Sequence, residues 1–262
     1  MNWYLVYLLL VAHIVADFHL QCNKSCKNKY EKGLCGKSIY IHGVAVFLLT
    51  WLASWNLEFW WCALIVALTH FGLDLLKSSI ERRQHEEKPI KDGPFEIWVF
   101  LADQLAHIGI IIGIVAIWML YDGTGTISSS WLESVWDKRL AILLGGLFLM
   151  TPSNILIKLL FQRFTIDPQK NRKHISQEQN LKSDQIDENH GTFKSGALIG
   201  TMERLIILLF VIIGQYEAIG LLVAAKSILR FKEMNEPEQS EYVLVGTLIS
   251  ILLALGVGII VI

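Results

Sequence analysis

The sequence predicts an all-α fold, a polytopic transmembrane helical bundle of about eight spans with both termini outside. Of its 262 residues, 53% are hydrophobic, which is high for a soluble domain of this length. Several apolar runs reach the length of about 20 residues that a helix needs to cross a bilayer. The loops between these runs alternate between basic and non-basic. Composition and loop pattern together favour a membrane protein.

Eight apolar segments define the predicted spans in chain order. The first has no basic leader of a cleavable signal peptide, so we expect it to remain as a helix. The seventh is the shortest and carries charges, which indicates a tilted or re-entrant helix. Two closely spaced glycines in the last span indicate close helix packing. The predicted spans are residues 2–20, 38–55, 60–78, 96–121, 138–161, 197–214, 217–232 and 242–262.

Basic residues are concentrated in every second loop. Residues 21–37, after the first span, are rich in lysine, whereas the turn near 56–58 has neither lysine nor arginine. The connections after the third, fifth and seventh spans are again basic. The positive-inside rule therefore places these loops in the cytoplasm and both termini outside.

Polar residues divide the chain into four predicted parts. Residues 1–121 form a membrane half of four helices, and residues 122–164 form an outer loop and the fifth span. Residues 165–195 lack apolar periodicity, so we expect a flexible cytoplasmic linker. Residues 196–262 form a C-terminal membrane half of three helices. One polar cluster among eight helices fits a monomer, and a homodimer is an open alternative.

Several function classes are not indicated by the sequence. It contains no glycine-rich dinucleotide motif, no P-loop and no HExxH zinc motif. We expect no nucleic-acid partner, because the basic residues near span ends are explained by topology. Four cysteines give no disulfide framework, and three of them lie in a loop predicted to be cytoplasmic.

Three histidine–aspartate pairs, each four residues apart, lie inside separate apolar segments. They are His13/Asp17, His70/Asp74 and Asp103/His107. Residues four apart share one face of a helix, so each pair puts an imidazole and a carboxylate on one stripe. Ionisable groups inside a membrane are costly and by default mark functional sites. A helix–helix hydrogen bond would explain a single pair, but three pairs favour a function.

The predicted topology brings these pairs to a similar depth. At a rise of about 1.5 Å per residue, Asp17 and Asp74 lie about 5 Å inside the cytoplasmic boundary. The histidines of the same two pairs lie about 10 Å inside. Asp103 lies near 10 Å on the fourth span, and His42 near 6 Å on the second. Four helices would therefore bring their polar residues to one shared site.

Divalent metal binding is the chemistry that fits these residues. Imidazole nitrogen and carboxylate oxygen suit Zn²⁺, Mn²⁺ or Fe²⁺, and an ion would compensate buried carboxylates. The six predicted ligands and His42 are more than the four that one tetrahedral ion binds. Either two ions bind, or some of these residues hold the ligand residues in place by hydrogen bonds. His42 is a candidate ligand or proton donor, and Asp74 and Asp103 are candidate catalytic bases. The predicted ligands are His13, Asp17, His70, Asp74, Asp103 and His107.

Six polar residues around this cluster, namely one amide, four cations and one acid, form a predicted binding rim for an anionic group. Snorkelling of the long side chains to the interface is the alternative explanation for Lys77 and Arg230. Pairing with Glu203 or with lipid headgroups is the alternative for Arg204. The predicted rim residues are Gln21, Lys77, Glu203, Arg204, Lys226 and Arg230.

The motifs resemble those of one known family. HIVADFHLQ from His13, HGV from His42, HFGLDLLK from His70 and DQLAH from Asp103 resemble the bacterial integral-membrane family called domain of unknown function 3307. PSNILIK, GTMERLIILL and GQYEAIGLLVAAKSILRF resemble a companion region of its longer members. The resemblance implies a bacterial inner-membrane protein and supplies no activity or cofactor. A more distant likeness in style is to small membrane-bound metal-dependent hydrolases.

Three hypotheses for the function follow. The first is a metal-dependent membrane enzyme that hydrolyses a phosphoester-type bond of a lipid or a small anionic substrate reached from the cytoplasmic leaflet. The second is an ion or proton transporter or channel that uses the same histidines and aspartates. The third is a non-catalytic membrane anchor or sensor whose linker binds a partner.

Overall fold

The computed structural model describes residues 3–20, 37–87, 93–122, 130–163, 189–231 and 237–262. Within these residues the fold is all-α, with no β-strand. Residues 165–188 of the predicted linker and most of the lysine-rich loop 21–37 lie outside the described residues. The helices are α1 (Trp3–Ile14), α2 (Lys37–Ala53), α3 (Trp60–Glu87), α4 (Gly93–Asp122), α5 (Ser130–Leu149), α6 (Thr151–Arg163), α7 (Asn189–Ile212), α8 (Tyr216–Phe231) and α9 (Pro237–Val261).

Three of the described helical stretches are long and apolar enough to cross a membrane. They are Leu57–Ile80, Glu96–Tyr121 and Leu244–Val261. The stretches Trp3–His19 and Ser38–Ala53 are also apolar but shorter. Large apolar side chains are exposed on the outer faces of the helices, as contact with lipid requires. These features indicate a membrane protein, whereas the total of eight spans stays a prediction.

The predicted fifth span, residues 138–161, is not one continuous helix. α5 ends at Leu149, Met150 lies in a turn, and α6 begins at Thr151. Pro152 explains the break, because it has no N–H to donate and its ring disfavours helical conformation at the residue before it. The two helices are long enough to cross a membrane only when taken together.

The chain divides into two units, Met1–Phe148 and Leu149–Ile262. In unit 1, α1 and α3 each pack against both α2 and α4, so that these four helices form a ring. Leu9, Val46 and Val115 are among its buried core side chains. Phe59 packs edge-on against Trp118 with ring centroids 5.1 Å apart. This apolar core fixes the rotation of the helices that carry the polar residues.

A tight turn connects α2 and α3. Trp55 has a φ of 49°, the left-handed conformation that often ends a helix and is strained for a residue with a side chain. The Asn56 side-chain oxygen accepts the Glu58 N–H at 2.9 Å and starts the short 3₁₀ turn that precedes α3. His42 precedes this turn by nearly the same number of residues as His70 follows it. The two histidines therefore lie at the same height along their antiparallel helices.

Unit 2 is held together by close contacts of α9. This helix packs against α6 and α7, and α7 also contacts α6 and α8. A Cβ atom at Gly258 would lie 2.8 Å from Val211 Cγ1, and one at Gly246 would lie 2.9 Å from Phe161 Cζ. Glycine is therefore required at position 258, where α9 meets Val211, whereas at position 246 the end of the Phe161 ring would have to move. Of the two predicted packing glycines, Gly258 makes such a contact, and Gly256 has no atom within 4 Å of its would-be Cβ.

Candidate metal site

Asp17 lies in an unusual turn at the end of α1. The helix continues into a π-helical turn, Val15–His19, in which the Leu20 N–H donates to the Val15 carbonyl at 2.9 Å. Such wide turns are rare and recur at functional sites. Asp17 Oδ2 lies 3.8 Å from His13 Nδ1 on its own helix, and Oδ1 reaches side chains of α2 and α3.

Side chains from α1, α2 and α3 meet in one buried group. His42 Nε2 and His70 Nε2 form a hydrogen bond of 3.0 Å. Asp17 Oδ1 lies 3.3 Å from His42 Nε2 and 3.2 Å from His70 Nε2. Asp74 Oδ2 lies 3.7 Å and 3.8 Å from the same two nitrogen atoms. We call Asp17, His42, His70 and Asp74 the core cluster.

The spacing of these atoms matches a metal coordination shell. Ligand atoms about 2.0 Å from a tetrahedral zinc ion lie about 3.3 Å from one another. The five distances within the core cluster run from 3.0 to 3.8 Å. Two nitrogen and two oxygen ligands suit Zn²⁺, Mn²⁺ or Fe²⁺. The core cluster therefore contains residues of the types and spacing that could hold such an ion, although no single candidate group of described residues includes both Asp17 and Asp74.

A buried oxygen without a hydrogen bond supports the same interpretation. Asp17 Oδ1 is buried, and the two imidazole nitrogens within 3.3 Å of it are not aligned to donate a well-formed hydrogen bond. Burying such an acceptor unsatisfied is costly, and native structures rarely tolerate it. An ion between Asp17, His42 and His70 would satisfy the oxygen.

Two overlapping groups of described residues can each hold an ion. In each group, one ligand atom per residue lies within 4.8 Å of the others. The groups are His13, Asp17 and His70, and His42, His70 and Asp74. His70 belongs to both groups and is only 2% exposed, so it is the residue on which the site depends most.

His13 and His107 flank the core cluster. The His107 ring centroid lies 4.2 Å from that of His70 and 5.1 Å from that of His13, on which it stacks. His107 Nδ1–H donates to the Asp103 carbonyl at 2.8 Å, which fixes the tautomer and leaves Nε2 as an acceptor. That Nε2 atom is buried and has no hydrogen-bond partner within the described part of the chain.

A small cavity lies beside these rings. Its volume of about 10 Å³ is roughly the space that one water molecule needs. Sequence reasoning missed the polar residues Thr50 and Thr69, because single threonines on apolar helices carry no distinctive signal. The cavity is lined by His13, His70 and His107, by these two threonines, and by Val46, Val66, Ile110 and Ile111.

The Asp103 carboxylate has different partners from the other two predicted aspartates. Its Oδ2 atom accepts hydrogen bonds from Lys77 Nζ at 2.9 Å and from Gln104 Nε2 at 3.1 Å. Gln104 Oε1 in turn lies 3.4 Å from His13 Nε2, a link that sequence reasoning missed although Gln104 stands within the DQLAH motif. Asp103 therefore contacts the site through Gln104 and His107, and its predicted roles as ligand and base stay predictions.

The comparison with known protein families covers this part of the chain. Residues 5–137 match a family described as "Protein of unknown function (DUF3307)". The chain belongs to the DUF3307 family. The matched segment contains the core cluster as well as His13, Asp103 and His107. No curated protein and no solved structure matches the chain.

The predicted rim residues of unit 2 lie outside the segment matched by the DUF3307 family. Lys226 on α8 forms an ion pair with Glu203 on α7. Arg204 is 2% exposed, and its guanidinium donates to the Leu149 carbonyl, Ser250 Oγ, Asn154 Oδ1 and Thr201 Oγ1. All three charged groups have partners within unit 2, and their substrate role stays a prediction. Gln21 and the Arg230 side chain lie outside the described residues.

Proposed function

We propose that this DUF3307 protein is a metal-dependent integral membrane enzyme that hydrolyses a phosphoester-type bond. Its substrate is a lipid or a small anionic molecule at the cytoplasmic side of a bacterial inner membrane. The observation that carries the proposal is the convergence of Asp17, His42, His70 and Asp74 at ligand spacing, with Asp17 Oδ1 buried and lacking a hydrogen bond.

Different residues of unit 1 have different roles in such a reaction. A divalent ion held by the core cluster would polarise a phosphoryl oxygen and make water nucleophilic near neutral pH. His13 orients Asp17 from the side, since its Nδ1 lies 3.8 Å from Oδ2. Lys77 supplies a positive charge for the anionic group of the substrate. No serine or cysteine nucleophile motif stands in the sequence, which favours attack by water over covalent catalysis.

The proposed topology has eight spans with both termini outside. It makes the basic loops cytoplasmic and places Asp17 and Asp74 about 5 Å inside the cytoplasmic boundary. At that depth a substrate reaches the carboxylates without crossing the hydrocarbon core. The side-chain exposures agree with this direction of access, because the two carboxylates are 12% and 15% exposed and His70 is 2% exposed.

The transporter hypothesis is less well supported by the same side chains. A transported ion or proton needs a polar path from the cluster to the other face of the membrane. In the described part of unit 1, Thr50 is the one buried polar residue besides the four histidines. Beyond it the core consists of apolar side chains such as Ile114 and Val115.

Metal content of the purified protein tests the proposal. The protein is solubilised in detergent without a chelator or a histidine tag, and its metals are measured by elemental mass spectrometry. We expect about one or two equivalents of zinc, manganese or iron. The His70→Ala variant should lose the ion, and the His19→Ala variant, which removes an exposed histidine at the end of the π-helical turn, should keep it.

A phosphoesterase screen with lipid and soluble phosphoesters follows if the ion is present. Activity should disappear on treatment with a chelator and return when the ion is added back. The proposal is wrong if wild-type protein stays metal-free after incubation with excess ion, or if the His70→Ala variant retains the wild-type amount.

A further inference from the structure

The carboxylates of the core cluster are more exposed than its histidines, and we call this more exposed part the opening. Asp17 and Asp74 are 12% and 15% exposed, whereas His42 and His70 are 7% and 2% exposed. Lys77 lies three residues beyond Asp74, on the same face of α3, and is 28% exposed. Lys77 and the carboxylates are therefore the more accessible part of the site.

The helices that carry the core cluster expose apolar side chains. Ile41 on α2 is 70% exposed and Leu76 on α3 is 57% exposed. Trp98 on α4 is 61% exposed and has the side-chain type that prefers the membrane interface. The acyl chains of an amphiphile would contact lipid-facing side chains of this kind, whereas a soluble anion has no part that could do so.

The depth of the opening fits the position of a lipid phosphate. A bilayer of about 40–45 Å with a hydrocarbon core of about 30 Å has an interfacial layer of about 5–7 Å on each side. Asp17 and Asp74 are expected about 5 Å below the cytoplasmic boundary of that core. A phosphate in that layer needs to move inward by about 5–12 Å, depending on its height above the boundary, while its acyl chains stay among lipids.

Lys77 is the cation placed to receive that phosphate. Its ammonium group lies 2.9 Å from Asp103 Oδ2 and 5.7 Å from the centre of the Phe100 ring. Phe100 also contacts Phe18 of α1, with ring centroids 6.3 Å apart, so an aromatic pair borders the opening between α1 and α4. The ammonium group is held in place at the opening, and it can exchange one oxygen anion for another.

We propose that the ligand of the core cluster is a phosphate-bearing membrane lipid that enters from within the leaflet, with its phosphate held by Lys77. This inference rests on the proposed function, which it narrows from lipids and soluble anions to lipids. Recognition then has two parts. The phosphate contacts Lys77, and the acyl chains contact exposed apolar side chains of the helices.

Binding of three probes to the full-length protein in lipid nanodiscs separates these two parts. Dioleoyl phosphatidate has the phosphate and the chains, dioleoylglycerol has the chains alone, and glycerol 3-phosphate has the phosphate alone. We expect phosphatidate to bind at least about tenfold more tightly than either of the others. Native mass spectrometry after release from the nanodisc, or competition with a fluorescent phosphatidate, measures the difference.

Two lysine variants locate the phosphate contact. Lys77→Met keeps the length and apolar stem of the side chain, and it should weaken phosphatidate binding at least about tenfold. Lys158→Met removes an exposed lysine of α6 in unit 2 and should leave binding unchanged. Equal binding of glycerol 3-phosphate and phosphatidate would show a soluble substrate and overturn the inference. Equal binding by the Lys77→Met variant and the wild type would do the same.

Metal content measured on the same samples distinguishes the two proposals. Bound metal without preference for phosphatidate contradicts the lipid inference alone. Preference for phosphatidate that depends on Lys77, in protein that binds no metal, supports lipid recognition and contradicts the proposed enzyme. The Lys77→Met variant should retain its metal, because Lys77 lies outside the core cluster.

Discussion

Replacing Arg204 with alanine removes the side chain that joins four parts of unit 2. Its Nε atom donates to the Leu149 carbonyl at 2.9 Å, at the point where the predicted fifth span is broken. Its Nη atoms donate to Ser250 Oγ at 3.1 Å, Asn154 Oδ1 at 2.6 Å and Thr201 Oγ1 at 3.1 Å. These acceptors belong to α5, α9, α6 and α7, so the substitution removes hydrogen bonds to acceptors on four helices. The Leu149 carbonyl and Thr201 Oγ1 keep a second donor each, Ser153 Oγ and Asn154 Nδ2.

The expected loss follows from the number of these bonds. Side-chain hydrogen bonds in membrane bundles contribute about 0.6 kcal/mol on average, so four contribute about 2.4 kcal/mol. Removing one partner of a buried charged network in soluble proteins costs about 3–5 kcal/mol. We therefore expect Arg204→Ala to lower the free energy of unfolding of unit 2 by about 2–5 kcal/mol.

Reversible unfolding in mixed micelles with increasing sodium dodecyl sulfate measures this change. Arg204→Lys should recover less than half of the loss, because one ammonium group cannot span acceptors that the planar guanidinium reaches in three directions. Lys158→Ala removes an exposed lysine from the same unit and should stay within about 0.5 kcal/mol of wild type. The reasoning is refuted if Arg204→Ala also stays within that range, or if Arg204→Lys is as stable as wild type.

Three further changes test the site and the packing. His13→Asn should weaken metal binding by about 10–100-fold without abolishing it, since His13 supports Asp17 from outside the core cluster; equilibrium titration measures this, and unchanged affinity contradicts it. Zn²⁺ at about 100 times its dissociation constant should stabilise wild-type protein by about 2.7 kcal/mol and the His70→Ala variant hardly at all, as unfolding with and without a chelator would show. Gly258→Leu should destabilise by about 1–3 kcal/mol, because its Cβ would lie 2.8 Å from Val211, whereas Gly256→Leu serves as the control with open space.

Helix geometry explains why much of the site was predictable. The rise per residue is fixed, so counting from the loops gave the depth of each polar residue. His42 was singled out by depth alone, and the structure places its Nε2 atom 3.0 Å from that of His70. Rotation about the helix axis is set by packing, which a single sequence does not reveal. Asp103 was expected at a depth similar to that of His70, yet its carboxylate faces Lys77 and Gln104.

The break in the fifth span shows a second limit of sequence reasoning. Hydropathy averaged over 138–161 hardly registers Pro152, although this one residue divides the segment into α5 and α6. The sequence predicts Arg204 at an anionic substrate, because its actual partners are not evident from residue types. One of those partners is the backbone carbonyl of Leu149, which stands at the break. A backbone acceptor of this kind cannot be recognised from the residue types in the sequence.

The two units differ in how their buried polar groups are satisfied, and the difference supports the proposal of a metal site in unit 1. In unit 2 the described side chains have no buried nitrogen or oxygen atom without a hydrogen-bond partner, since Arg204 is surrounded by acceptors and Glu203 is paired with Lys226. In unit 1, Asp17 Oδ1 and His107 Nε2 are buried without such a partner. A bundle that needed polar groups only to hold its helices together would satisfy both atoms. An ion at Asp17 and a small ligand or water beside His107 would supply the missing partners.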